Sequence, residues 1–199
     1  MSAELREKSR RLACTNSKWN VHFVHVIHGV NEVPDYLVVE PKVRIAHDIT
    51  GVAILPVLNG SIGLLRIHRI AVAQAMWEAP RGFVDSGEES QNAALRELEE
   101  ETGLVCDPAQ VVALGSVVPE ASTLAARINL YAALQCRTGG TSLDDEMGLN
   151  AVEFFSFEQA QSMAESSLIE DAATLTAIFR LVLRAQSEPN VRRAFEQRA

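Results

Sequence analysis

The sequence predicts an α/β layered domain with a strand extension at its N-terminus. Three observations predict it. Runs of β-branched and aromatic residues, closed by turn residues, recur through the first two thirds of the chain. A single amphipathic helical pattern interrupts them, and the last quarter reads as helix. Strands mixed with helices bury their apolar faces most simply in layers. At 199 residues and 47% hydrophobic content, the chain suits one domain with additions.

Residues 1–13 hold Arg6, Lys8, Arg10 and Arg11 and read as a basic surface segment. Trp19 to Gly29 reads as a strand that ends at glycine. It contains His22, His25 and His28. On a strand the outer two face one way and His25 the other, so the three do not converge on one ion. Trp19 and Phe23 are assigned to buried core rather than to stacking on a ligand. A turn over Val30 to Asp35 leads to a second strand, Tyr36 to Pro41. Residues 1–45 therefore form at least a hairpin outside a main domain spanning 46–199.

In that domain Gly51–Leu58 and Ser61–Ile70 flank Asn59-Gly60, the strongest short hairpin signal in the chain. Met76 to Val84 follows as an extended approach, with Pro80 holding its predecessor extended. A helix then begins near Ser86 or Ser90. Both suit an N-cap, and Ser86 with Glu89 also fits a capping box. Its apolar side is Ala94, Leu95 and Leu98, and Gly103 ends it in a left-handed cap. Val111–Val118 and Ala126–Cys136 read as strands, and Arg137–Asn150 as a polar, glycine-containing loop. Ala151–Phe157 returns to the sheet. The remainder is helical, with Leu175, Ile178, Phe179, Leu181 and Leu183 as a core-facing stripe and a short helix after Pro189.

The chemistry concentrates on the central helix. Glu97, Glu100 and Glu101 stand at i, i+3 and i+4, so three carboxylates share one stripe. Like charges this close repel unless something cationic lies between them. Hard oxygen ligands suit Mg²⁺ or Mn²⁺. Arg96, next to Glu97, is expected to hold a carboxylate or a loop carbonyl rather than substrate.

The full spacing is Gly82, five residues, Glu88, seven residues, Arg96-Glu97-Leu98, then Glu100-Glu101, Gly103 and Leu104. It resembles a complete Nudix box. The resemblance implies an α/β/α sandwich with a mixed sheet, and hydrolysis of a nucleoside diphosphate linked to another group. It implies Glu97 and Glu101 as metal ligands, with Glu100 as a ligand or partner and the backbone carbonyl of Arg81 as a further donor. Glu88 is left either to a metal or to the loop. Gly82, Glu88, Arg96 and Gly103 are the structural positions of the motif.

Several features resemble the ADP-ribose pyrophosphatase branch. Trp77-Glu78-Ala79-Pro80-Arg81-Gly82 leads into the box, Ile67-His68-Arg69 precedes it, and Pro119 lies fifteen residues past Leu104. The ending Ile169-Glu170-Asp171-Ala172-Ala173-Thr174 is similar to that branch's Ile-Asp-x-x-Thr element. The likeness implies Arg69, Glu78 and Pro119 as substrate-binding residues. It also implies a homodimer built through the N-terminal strands, which contribute to the adenosine site. Glu146 in the polar loop, with Asp144 and Asp145 as rivals, and Glu100 are the candidate catalytic acids. Arg81 in place of a small residue and Glu120 in place of glycine leave the preferred sugar open.

Composition narrows the partners. A net charge of −8 argues against a nucleic-acid surface but not against a small phosphate ligand beside a metal. No apolar run approaches the ~20 residues of a membrane span, and the first residues show no apolar signal region. Cys14, Cys106 and Cys136 are odd in number without metal spacing, so reduced thiols in a cytoplasmic protein are expected.

Overall fold

The structure, a computed structural model, describes residues 4–139 and 152–196. Strands β1 (Arg6–Thr15), β2 (Trp19–His28) and β3 (Asn31–Pro41) form an antiparallel meander. The basic N-terminal segment is thus a strand, still exposed, whose Arg10 pairs with Glu7 and Glu40. The second hairpin turns at Gly29-Val30 alone, and β3 runs through Pro34, where a turn was expected. Pro34 falls at a register shift on an edge strand, where its missing N–H costs no ladder bond. His22 and His25 lie against different carboxylates, Glu40 and Glu32.

A 3-10 turn (Ala46–Asp48) leads into β4 (Ile49–Leu58), β5 (Ser61–Arg69), β6 (Gln74–Glu78) and β7 (Arg81–Phe83). Asn59 and Gly60 take φ of 48° and 76°, the paired left-handed geometry of a tight hairpin. After helix α1 (Ser90–Thr102) come β8 (Leu104–Val105), β9 (Val111–Val117), β10 (Arg127–Ala133), β11 (Arg137–Thr138) and β12 (Glu153–Ser156). Helices α2 (Phe157–Glu165), α3 (Ala172–Ser187) and α4 (Pro189–Glu196) follow.

The main sheet runs β12-β5-β4-β10-β9, with β6 beside β5 and β7 beside β4. Strands β4 and β10 are parallel and the other pairs antiparallel, so the sheet is mixed. Strand β4 explains the layers. Ala53, Leu55 and Val57 pack into one core with Ala173, Ala177, Ile178 and Leu181 of α3. Val52 and Ile54, on the other side of the pleat, pack with Ala93, Ala94 and Leu98 of α1. An apolar run buried on both faces therefore carries a helix on each, the α/β/α arrangement expected.

The stripe on α3 needs correction. Phe179 and Leu183 are 62% and 46% exposed. The buried face is Ala173, Thr174, Ala177, Ile178, Leu181 and Ala185, largely small residues that let α3 lie close on the sheet. Phe179 stands roughly 100° round from Ile178, and Leu183 roughly 200° from Leu181.

The meander is joined to the main domain through Val39. Its N–H donates to the Thr123 carbonyl at 2.8 Å, and its own carbonyl accepts from Ala125 at 2.8 Å. The 45/46 boundary drawn from sequence falls between β3 and the 3-10 turn. Among the described residues no helix is long and apolar enough to cross a membrane.

Candidate active site

Helix α1 does not start on a serine cap. Glu89 occupies the N-cap without a side-chain bond, and Ser90 is the first helical residue. The Ser90 hydroxyl instead hydrogen-bonds the Tyr131 hydroxyl and accepts from Asn129 Nδ2 at 2.8 Å. Tertiary partners on β10 thus outcompete the local cap. At the other end Gly103 takes φ 66° and donates to the Glu99 carbonyl, as its position predicts.

Arg96 organises the front of this helix. Its guanidinium donates to Glu88 at 3.1 and 3.2 Å, Glu97 at 2.8 Å, Glu100 at 2.9 Å and the Phe83 carbonyl at 3.1 Å. It holds both the carboxylates and the loop carbonyl anticipated for it. These partners raise its pKa further, Glu88 foremost, while the Arg96 bond holds the Glu88 carboxyl below its usual range. Glu88 also accepts from the Asp85 N–H at 3.0 Å, so its observed contacts brace the loop.

Glu97 lies over Gly82. A Cβ at that position would sit on the Glu97 carboxylate, which explains glycine there without any appeal to φ. Glu101 is only 5% exposed and accepts from the Arg81 N–H at 2.9 Å. Glu97 and Glu101 both face one cleft of about 1030 Å³, together with Arg69, Arg81, Arg96 and Pro119. Glu100, one helical step away, does not line it.

Among the described residues no three acidic, histidine or cysteine groups already converge on one point. Arg96 is the cation between Glu97 and Glu100, whereas Glu101 is bonded to the Arg81 N–H. The two carboxylates that face the cleft still fit Mg²⁺, which keeps several waters and takes one or two carboxylates plus substrate phosphate. The close seat of Glu97 on Gly82 is the observation that favours this fit.

A second ion network borders the same cleft. Glu78 is fully buried; its carboxylate accepts from Arg69 at 2.7 Å and pairs with Arg81 at 2.6 Å. Arg81 continues to Asp171 at 2.7 Å, and the other Asp171 oxygen caps α3 by accepting from the Thr174 N–H and hydroxyl, both at 2.8 Å. The Thr174 hydroxyl accepts from the Ala79 N–H at 2.9 Å. Glu78 thus holds the arginines and does not itself reach the cleft.

Glu120, the departure beside Pro119, accepts from the Ser122 hydroxyl and the N–H groups of Ser122 and Thr123. The Ser122 bonds lead the causes that bring its carboxyl down to about 2. It therefore closes a local turn. Trp19 is half-buried at the cleft, edge-on to Phe83 with ring centroids 5.5 Å apart, which corrects its assignment to the core. Glu146, Asp144 and Asp145 lie outside the described residues. Asp171 and Thr174 were legible only as a family-like element, and Lys18, which also lines the cleft, carried no sequence signal.

The NUDIX domain family model matches residues 48–176, well over half the chain. The chain belongs to the Nudix hydrolase family. Among its relatives, an ADP-ribose pyrophosphatase of Bacillus subtilis (strain 168) is 30% identical over 134 residues, 67% of this chain and 72% of that protein. A methanol dehydrogenase activator of Bacillus methanolicus is 29% identical over 64% of this chain and 69% of its own length. An RNA pyrophosphohydrolase of Erythrobacter litoralis (strain HTCC2594) is 57% identical, but over 37 residues that span only 23% of it. In three dimensions a crystal structure of an ADP compounds hydrolase superposes with a TM-score of 0.78 at 15% identity, over 96% of this chain and 98% of that one. That likeness establishes the Nudix-like fold, mixed sheet included.

Proposed function

We propose that this Nudix protein hydrolyses the pyrophosphate bond of a nucleoside diphosphate derivative, ADP-ribose to AMP and ribose 5-phosphate, with Mg²⁺ or Mn²⁺. The observation that carries the reading is that Glu97 and Glu101 line one cleft together with Arg69 and Arg81. Carboxylates and guanidiniums in one cleft match a metal-bound diphosphate, the former for the ion and the latter for the phosphates. Glu97, Glu101 and the Arg81 carbonyl would hold the ion, with Glu100 as their partner through Arg96. When bound, such an ion supplies an acidified water and offsets charge on the bridging oxygens. Arg69 binds the phosphates or ribose, and Glu78 sets its direction. Pro119 shapes the far rim.

The relative named as an ADP-ribose pyrophosphatase supports the choice of substrate. Glu146 remains the candidate catalytic acid, with Glu100 as a positioning partner through Arg96, and the N-terminal meander the dimerisation region of a cytoplasmic homodimer. Incubation with ADP-ribose and Mg²⁺, with products separated by chromatography, should give AMP and ribose 5-phosphate in equal amounts. Turnover of GDP-mannose or a dinucleoside polyphosphate in preference would move the substrate and keep the reaction. No turnover of any nucleoside diphosphate derivative would overturn the proposal.

A further inference from the structure

Two of the three cysteines, unremarkable in sequence, meet in the fold. Strands β8 and β11 pair antiparallel with Val105 opposite Arg137 and Leu104 opposite Thr138. One step further along the same register sets Cys106 opposite Cys136. Directly opposed residues on antiparallel strands have Cα atoms about 4.5–5.5 Å apart, inside the span a disulfide bridges. Cys136 belongs to the core cluster under α1, and Cys106 packs against it. Both thiols also address one turn: Cys106 Sγ donates to the Leu134 carbonyl at 3.2 Å and Cys136 Sγ to the Ala133 carbonyl at 3.2 Å. The pair is asymmetric. Cys106 is half-buried and reachable, whereas Cys136 is 5% exposed and anchored by its N–H to the Val57 carbonyl at 2.8 Å.

We infer that Cys106 and Cys136 form a reversible thiol–disulfide couple, a modification site whose reactant is a peroxide or a small-molecule disulfide. With a disulfide, the Cys106 thiolate attacks one sulfur and expels the other as a thiolate, giving a mixed disulfide. The Cys136 thiol loses its proton to solvent, attacks Cys106 Sγ and releases the second thiolate. The protein loses two electrons and two protons, and the reagent becomes two thiols. Hydrogen peroxide oxidises the Cys106 thiolate to a sulfenic acid with release of one water, and attack by Cys136 on that sulfur forms the disulfide and releases the second. Hydrogen bonding from Cys136 lowers the Cys106 pKa, and the same contact with burial raises that of Cys136. This orders the roles as attacking and resolving thiols. The bond would tie the strand leaving α1 to the end of β10, and it does not depend on the phosphorus chemistry proposed above.

The test uses the full chain carrying Cys14→Ser, treated with oxidised glutathione or hydrogen peroxide. Tryptic digestion should yield residues 97–127 linked to residues 128–137 at a mass two hydrogens below their sum, reversed by dithiothreitol. Both titratable thiols should disappear together, and Tm should rise by several degrees. In Cys136→Ser the same oxidised glutathione should stop at a stable adduct on Cys106. Retention of both thiols, oxidation of either one alone to sulfinic acid, or only intermolecular links would overturn the inference. Should Cys136→Ser fail to fold, Cys106→Ser replaces it and should leave Cys136 unmodified.

Discussion

The two walls of the cleft are built from the same side chains in opposite proportion. On α1 one arginine, Arg96, serves three carboxylates, Glu88, Glu97 and Glu100. In the other network one carboxylate, Glu78, serves two arginines, and Asp171 balances the charge of those described pairs. The first wall keeps an excess of negative charge at a partly exposed surface, which repels itself until a cation arrives. The second is balanced among its described pairs and centred on a fully buried carboxylate, so it can be rigid without a ligand. The difference teaches where each wall is vulnerable. Function should fail first on the acidic wall, and folding on the balanced one.

The sharpest test is Glu101→Gln, which keeps size and the Arg81 N–H bond but removes charge from a carboxylate facing the cleft. Metal-dependent hydrolysis should fall about 10²–10³-fold, the scale of losing one preorganised electrostatic contact. Circular dichroism should show the fold intact. Full activity would end the contrast. On the balanced wall, Glu78→Ala leaves Arg69 and Arg81 facing each other without their shared partner. Loss of a buried ion-pair member costs about 3–5 kcal/mol. The lower figure applies here, because the arginine side chains keep 29% and 25% of their surface in water. Urea unfolding measures it, and a cost under about 1 kcal/mol would mean that the wall is not structural.

Gly82→Ala tests the seam between the walls. The added methyl must displace Glu97 or shift β7, at about 1–3 kcal/mol of overpacking, with loss of activity. A pH titration of Tm probes the acidic wall more gently. Glu88 has its folded pKa lowered, chiefly by Arg96, so its contribution is fully present above the unfolded carboxylate value of about 4.3. That contribution is lost as pH falls through the lower folded value, and Glu88→Gln should flatten this acid limb. The smallest effect belongs to Glu100→Gln. Glu100 neighbours Glu101 yet points one step away from the cleft, so stability should change by less than about 0.5 kcal/mol. Activity should stay within about tenfold. A loss as large as that of Glu101→Gln would make Glu100 a ligand in its own right.

Local chemistry carried the sequence reading a long way. The Asn59-Gly60 hairpin and the Gly103 cap are decided by residues next to one another, so their pattern was enough. Arg96 was legible for the same reason: its partners lie within a turn or on the adjoining loop. The reading went wrong where distant groups compete. Ser90 forsakes its own helix for Tyr131 and Asn129, 41 and 39 residues away. Phe179 and Leu183 are apolar and helically spaced, yet alanines take the buried face because α3 must lie close to the sheet.

The sequence by itself determined the family motif, the acidic helix and an α/β layering, because spacing along a regular element dictates which side chains share a face. Only the tertiary structure decided that Asp171 reaches Arg81, that Ser90 turns to Tyr131 and Asn129, and that Cys106 opposes Cys136. Those are contacts between segments far apart in the chain. They depend on which strands pair and in what register, and no local pattern of residues encodes that.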